Sequence, residues 1–147
     1  RFRTLRNAEA VLPGPTGERN AASWRAPKRV WLYGGGLAAS FNALAQLAAS
    51  GITAVVSDQH PLAAYSGQLD GLLEVSATPA SSAISHVAAL EPLPAEIKQA
   101  LAESGGALIR ILPSENGLDV LQVFEEISCS INTTAAGGNA SLMAMGD

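Results

Sequence analysis

Residues 30–39 read VWLYGGGLAA, and this stretch decides the fold. Its first four residues are strand formers, and three glycines end the apolar run at once. Apolar residues then recur at helical spacing over residues 37–50, and a second apolar run follows at residues 52–56. A strand, a tight turn, a helix and another strand in this order predict a buried βαβ unit.

The alternation of short apolar runs with helical patterns continues through the chain. We predict strands at 72–75 and 107–112 and helices at 81–90, 95–103 and 118–127. Because strands that alternate with helices pair in parallel and are covered on both faces, the fold class is α/β. The sequence therefore predicts a Rossmann-like three-layer domain with a mostly parallel sheet, an irregular N-terminal connector and an extended C-terminal flap.

The boundaries of these parts follow changes in composition. Residues 1–27 have mixed charge, Pro-Gly punctuation and no sustained period, so we predict a basic connector without regular structure. Residues 28–127 form the Rossmann-like domain. Residues 128–147 begin like a strand but continue in small and amide residues, which suit either a frayed terminus or a flap that pairs its backbone with another surface. The chain opens on Arg1 without an initiator methionine, and we expect it to be a piece of a larger protein.

Charge is distributed unevenly along the chain. Seven of the nine basic residues lie within residues 1–29 beside two acids, and the remainder holds two basic residues against eleven acids. Such an arm can bind nucleic acid, or it can be a solvated connector that lies on an acidic neighbour. We favour the connector, because the Pro-Gly run interrupts the continuity that a binding helix needs. Residues 30–57 carry no charge, but their glycine and amide interruptions argue against a membrane span.

Reactive residue types are few and scattered. Cys129 is the single cysteine, and without a secretion signal we expect a reducing cytoplasm and a packed, unreactive thiol. Neither His60 nor His86 has a local acid partner that spells a catalytic triad, and Glu125 and Glu126 are expected to be solvated helix positions. We therefore predict no catalytic residue and no metal site in this chain.

The glycine turn carries the one motif with a defined chemistry. It fits G-x-G-x-x-G/A between a strand and a helix, with Gly34, Gly36 and Ala39 at the fingerprint positions. The first glycine would permit the tight turn, and the second would admit a pyrophosphate to the helix N-terminus. Asp58 follows Gly34 by 24 residues, near the spacing of an acid that accepts ribose hydroxyls. The same glycines also suit close helix–strand packing in a fold that binds nothing, and the residues alone leave both interpretations open.

Two further segments resemble one protein family. Residues 14–20, GPTGERN, and residues 132–143, NTTAAGGNASLM, resemble the C-terminal region of the bifunctional proline utilization A (PutA) flavoenzymes, in the family's order along the chain. The resemblance implies a parent that oxidises proline to glutamate with an FAD-dependent proline dehydrogenase and an NAD-dependent L-glutamate γ-semialdehyde dehydrogenase. Both active sites are then expected upstream of this chain.

The resemblance also implies a role for this part of the parent. Long members of the family carry a C-terminal domain similar to the aldehyde dehydrogenase nucleotide-binding fold, which covers the substrate-channelling tunnel and does not catalyse. By that analogy this chain holds no cofactor of its own, its flap packs on the aldehyde dehydrogenase region, and the flap is a candidate surface for a homo-oligomer. The implied interface residues are Asn132, Thr133, Thr134, Gly137, Gly138 and Asn139.

Overall fold

The computed structural model describes residues 8–81 and 83–132, which form two β-sheets, two α-helices and three short 3-10 helices. The strands are β1 (Glu9–Leu12), β2 (Glu18–Arg25), β3 (Arg29–Tyr33), β4 (Thr53–Val56), β5 (Leu73–Val75), β6 (His86–Ala89), β7 (Arg110–Pro113) and β8 (Glu125–Asn132). The α-helices are α1 (Leu37–Ala49) and α2 (Ala95–Glu103), and the 3-10 helices span Pro61–Gln68, Pro79–Ser81 and Val120–Val123.

The larger sheet has five strands in the order β5-β4-β3-β6-β7, and every neighbouring pair is parallel. The chain starts this sheet at β3, builds outward to β4 and β5 on one side, and then crosses to β6 and β7 on the other. The strand order therefore reverses between β3 and β6, and the carboxyl ends of these strands border a crevice at the switch point. The predicted α/β class with a mostly parallel sheet is confirmed.

Alternate residues of the central strand serve two separate cores. Val30 and Leu32 belong to the cluster that contains Leu47 of α1. Trp31 belongs to the cluster that contains Leu101 of α2. Since consecutive side chains of a strand point to opposite faces, the two helices cover opposite sides of the sheet and produce the predicted three layers.

The predicted helices at 37–50 and 95–103 are confirmed, and α1 shows why. Its buried residues Ser40, Ala43, Leu44 and Leu47 recur at intervals of three or four positions and so share one face. Gly51 follows with φ +71°, a left-handed conformation that glycine adopts easily and that ends the helix. No helix within residues 8–81 and 83–132 has the length and apolar character needed to cross a membrane.

A second sheet, named here the flap sheet, consists of β1, β2 and β8 and is antiparallel throughout. The prediction of an irregular connector is therefore wrong for residues 9–25, which form a hairpin. The Pro-Gly run is its turn: the Glu18 N–H donates to the Pro15 carbonyl at 3.0 Å, and Gly17 adopts φ +89°. Because β2 finds hydrogen-bond partners on both sides, in β1 and β8, these strands form without a strongly alternating apolar pattern.

Two predicted helices are also wrong. Residues 81–90 contain strand β6, whose short apolar run could not be distinguished from a buried helix by periodicity. Residues 118–127 contain one 3-10 helix and the start of β8, because the alternation from residue 125 onward has the two-residue period of a strand. Glu125 and Glu126 consequently lie on opposite faces of a strand. The strand predicted at 107–112 begins only at Arg110.

Candidate functional site

The glycine turn joins β3 to α1 at the switch-point crevice. Gly34 and Gly35 adopt φ values of +67° and +87°, a left-handed region that other residues rarely enter. Gly36 has φ −69° and caps the N-terminus of α1 without a side-chain hydrogen bond. The buried Ser40 hydroxyl donates to the Gly36 carbonyl at 3.0 Å. The first turn of α1 thus fixes one end of the glycine turn.

The turn that follows β6 packs directly on these glycines. A Cβ atom on Gly34 would lie 2.8 Å from Glu91 Cβ and 2.9 Å from Glu91 Oε2. A Cβ atom on Gly35 would lie 2.8 Å from Leu90 Cβ. A Cβ atom on Gly36 would have no neighbour within 4 Å. Contacts within the chain itself therefore require the first two glycines, whereas the third faces open space.

His60 supports the turn from the β4 side of the crevice. Its Nε2 lies 3.1 Å from the Gly34 carbonyl oxygen, and its Nδ1 accepts the Leu62 N–H at 3.2 Å. Because Nδ1 is an acceptor, we place the proton of the neutral ring on Nε2, which donates to Gly34. Burial lowers the pKa of His60 below its usual value, while the Gly34 hydrogen bond and the nearby Glu91 charge act in the opposite direction. His60 is therefore neutral near pH 7. It holds the glycine turn through its hydrogen bond to Gly34 and supplies no positive charge to the crevice.

These groups surround a cleft of about 250 Å³. Its lining includes Tyr33, Gly34, Ser57, His60 and Glu91. Among the described residues that form this lining, Glu91 is the one carboxylate, and it stands against the glycine turn. The cleft therefore presents a negative charge at the turn on which a pyrophosphate would lie in a dinucleotide-binding protein.

The structure brings together only part of the predicted fingerprint. Gly34 and Gly36 lie at the crevice, but Ala39 is exposed and does not pack the helix on the strand; the next residue, Ser40, is buried in its stead. Asp58 follows β4 as expected, yet it is exposed and stands outside the cleft lining. The two glycines thus border the cleft, whereas Ala39 and Asp58 do not line it.

Sequence reasoning missed His60 and Glu91 as parts of this site. A signal existed for His60, because Pro61 follows it at the first position of a 3-10 helix, where proline is favoured, and His60 occupies the capping position. Glu91 had no comparable signal, since it follows a strand that the sequence pattern predicts as a helix.

The flap sheet brings the second set of predicted residues into view. Asn132 ends β8 opposite Glu18, and its Nδ2 donates to Glu18 Oε1 at 3.4 Å. Residues 14–20 and the start of residues 132–143 therefore meet at one end of this sheet. The other predicted interface positions lie outside the described residues: Thr133, Thr134, Gly137, Gly138 and Asn139.

One face of the flap sheet exposes apolar side chains. The strand register places Val11, Ala21 and Cys129 side by side, and Ile131 lies on the same face because side chains alternate along a strand. Val11 is 69% exposed and Ile131 is 48% exposed. The prediction of a packed thiol is wrong, because this face is uncovered and Cys129 is exposed. Glu9 and Arg19 lie on this face as well, with Arg19 directly opposite Ile131, so the exposed apolar side chains stand beside an ion pair. Protein–protein contact surfaces commonly combine apolar and polar area in this way.

Two residues of the basic N-terminal segment pair with acids of the chain itself. Arg19 NH2 lies 2.9 Å from Glu9 Oε1, and Arg29 Nε lies 2.8 Å from Glu74 Oε2. The Arg19 side chain is 62% exposed and that of Arg29 is 40% exposed, so solvent screens both ion pairs and they contribute little to stability. The two ion pairs do show that the basic segment has acidic neighbours within the same chain.

Other places in the described part of the molecule offer less chemistry. A cavity of about 620 Å³ lies near the amino ends of β6 and β7, and its lining, which includes Ala80, Ile84 and Ile109, has no charged residue among those described. Within residues 8–81 and 83–132, no three His, Cys, Asp or Glu side chains are grouped so that they could hold a metal ion.

Comparison with known proteins gives one consistent relationship. No protein-family model matches the chain. The bifunctional protein PutA of Rhizobium meliloti is 31% identical over 155 aligned residues, which cover 92% of this chain and 12% of that protein. A solved structure of a Bradyrhizobium japonicum proline utilization A (PutA) mutant has 23% identity and a TM-score of 0.53, and a second bifunctional PutA structure has 24% identity and a TM-score of 0.51. Each structural match covers 75% of this chain and 14% of the other, so the chain spans a small part of these relatives.

Proposed function

Since the chain belongs to the PutA family, we propose that it is a non-catalytic C-terminal module of a bifunctional enzyme that oxidises proline to glutamate. In this proposal the module covers the substrate-channelling tunnel and packs on the aldehyde dehydrogenase region. FAD and NAD bind in other domains of the parent, and the upstream domains of the same chain are the partners. A second copy of the chain is a further candidate partner for the flap.

The pairing of Glu18 with Asn132 carries the proposal. It joins the two segments that resemble the family, and it lies at the end of a sheet that exposes Val11 and Ile131. A face with Val11 and Ile131 accessible to water is stabilised when another surface covers it, at roughly 25 cal/mol for each Å² of apolar area buried. The flap sheet, with β8 as its edge strand, therefore has both the backbone and the side chains for docking.

The crevice supports the non-catalytic part of the proposal. Leu90 and Glu91 of the same chain fill the space beside its glycine turn. The neutral His60 provides no positive charge for a phosphate. The exposed Cys129 lies on the flap sheet and not at the crevice. A single exposed cysteine also suits a reducing cytoplasm, which is the compartment we propose for the enzyme.

The competing function is a competent NAD-binding domain that uses Gly34, Gly36, Ala39 and Asp58. The switch-point crevice and the open space beside Gly36 favour it. Titration of the 147-residue chain with NAD and NADH separates the two functions. Saturable binding in the micromolar range that is lost in Gly36→Val supports the competing function, and the lack of such binding supports the covering module.

The covering role is tested by truncation of the full-length enzyme after the position of Asn132. This change removes everything in the parent from residue 133 onward and keeps the residues that pair β2 with β8. We expect a lag in NADH formation from proline and increased capture of the intermediate by an aldehyde-trapping reagent, with the activity of each separate active site retained. Transfer without a lag or added capture would mean that the flap does not seal the tunnel.

A further inference from the structure

The two turns that border the crevice are in direct contact. One follows β3 and contains the glycines, and the other follows β6 and contains Leu90 and Glu91. A Cβ atom on Gly34 would lie 2.8 Å from an atom of Glu91, and one on Gly35 would lie 2.8 Å from atoms of Leu90, which is closer than real side chains approach. Because these two glycines have no side chain, the turn that follows β6 packs directly against their backbone.

The charge of Glu91 also opposes the binding of an anionic ligand at the glycine turn. The N-terminus of α1 carries the partial positive charge of a helix, and its first turn contains no acidic side chain. An anion is therefore favoured there unless another negative charge is already present. Glu91 places a carboxylate oxygen close to Gly34 in the same cleft. Its charge acts to raise the pKa of His60, which also lines the cleft. A dinucleotide pyrophosphate that entered would meet this carboxylate with no cationic side chain in the described lining to offset it.

We propose that Glu91 is the residue that excludes a dinucleotide pyrophosphate from the glycine turn. The inference rests on the proposed non-catalytic function and assigns the lack of dinucleotide binding to one side chain. The backbone retains the glycine turn of a dinucleotide-binding fold, and the carboxylate of the next turn makes that site unfavourable by like-charge repulsion and by occupying space.

The test uses the 147-residue chain titrated with NAD by isothermal titration calorimetry in low salt. Glu91→Gln removes the charge at nearly constant size, and Glu91→Ala removes both the charge and the bulk. Glu103→Gln is the matched control, because Glu103 is an exposed acid at the end of α2, outside the cleft lining. Glu91 is itself exposed, so we expect all variants to fold, which circular dichroism verifies.

We expect the wild type and Glu103→Gln to show no saturable binding up to about 5 mM NAD, and Glu91→Ala to bind at least roughly tenfold more tightly than that limit. Glu91→Gln is expected between them. If neither Glu91 variant binds, the exclusion does not depend on Glu91, and this inference is wrong while the covering function stands. If the wild type binds as tightly as Glu91→Ala, both the inference and the proposed lack of a cofactor are wrong.

Discussion

Asn132 lies opposite Glu18 across strands β8 and β2, and its side-chain amide donates to the Glu18 carboxylate at 3.4 Å although the two residues are 114 positions apart. The contact closes the flap sheet at the end where both family-like segments meet. It makes the N-terminal hairpin and the C-terminal strand one structural unit. The flap sheet is therefore built from two segments that are far apart in the sequence, and a change in either strand is expected to affect it.

The glycine turn predicts unequal effects of two neighbouring alanine substitutions. Gly35→Ala should destabilise the fold by about 1–3 kcal/mol, because φ +87° is strained for alanine and its Cβ would meet Leu90. Gly36→Ala should cost less than about 1 kcal/mol, because φ is −69° and the space is open. Urea denaturation of both variants measures the difference. Equal losses of stability would contradict the assigned roles of these glycines.

Acid should destabilise the fold as pH falls below neutrality. Burial lowers the pKa of His60 and of His86, and Arg110 lowers that of His86 further while Glu125 opposes the shift. Both imidazoles are then neutral in the folded chain at a pH where the unfolded chain begins to bind protons. Stability is complete above the unfolded pKa of about 6.5 and is lost progressively as pH decreases toward the folded values.

The variant His86→Leu isolates one contribution to this pH dependence. His86 is fully buried, its Nδ1 lies 2.8 Å from the Ser85 hydroxyl, and its Nε2 has no hydrogen-bond partner among the described residues. Replacing the ring should change the free energy of unfolding at pH 7 by no more than about 1 kcal/mol. Between pH 7 and pH 5, denaturation curves of the variant should show a smaller loss of stability than those of the wild type. An unchanged slope would show that His86 does not take part.

The exposed thiol of Cys129 predicts a difference between the isolated chain and the full enzyme. On the flap sheet Cys129 is accessible beside Val11 and Ile131, so a thiol reagent should label the folded 147-residue chain completely. If this face of the flap sheet is covered in the parent, labelling at this position should slow by at least roughly tenfold in the full-length enzyme. Equal rates in the two proteins would mean that this face stays uncovered.

The sequence pattern was sufficient for the unit of β3, α1 and β4 and insufficient for β6 and the site beside it. Strand β3, the glycine turn and α1 are adjacent in the chain, so local periodicity and three glycines identify them. The contact of Glu91 with Gly34 depends on β6, whose short buried run has no period that distinguishes a strand from a helix. Its position is determined by parallel pairing with β3, which is a long-range interaction.

The flap sheet was missed for a related reason. Strands β1 and β2 contain polar residues and a Pro-Gly turn, which locally indicate a connector. The hydrogen bonds on one side of β2 come from β8, about a hundred residues later in the chain, so local propensity gave no sign of the pairing. The family resemblance identified the two ends of this sheet as related segments without indicating that they pair.

The most direct test of the covering role keeps the chain length constant in the full-length enzyme. Ile131→Asp replaces an exposed apolar side chain of the flap sheet, opposite Arg19, with a charged one, and Leu108→Asp makes the same kind of change at a residue that is 92% exposed elsewhere on the domain. Each variant is assayed for the lag in NADH formation from proline and for capture of the intermediate by an aldehyde-trapping reagent. We predict a lag and increased capture for Ile131→Asp, with neither for Leu108→Asp. If the Ile131→Asp variant shows no lag and no more capture of the intermediate than the wild type, the proposal that this face seals the tunnel is contradicted.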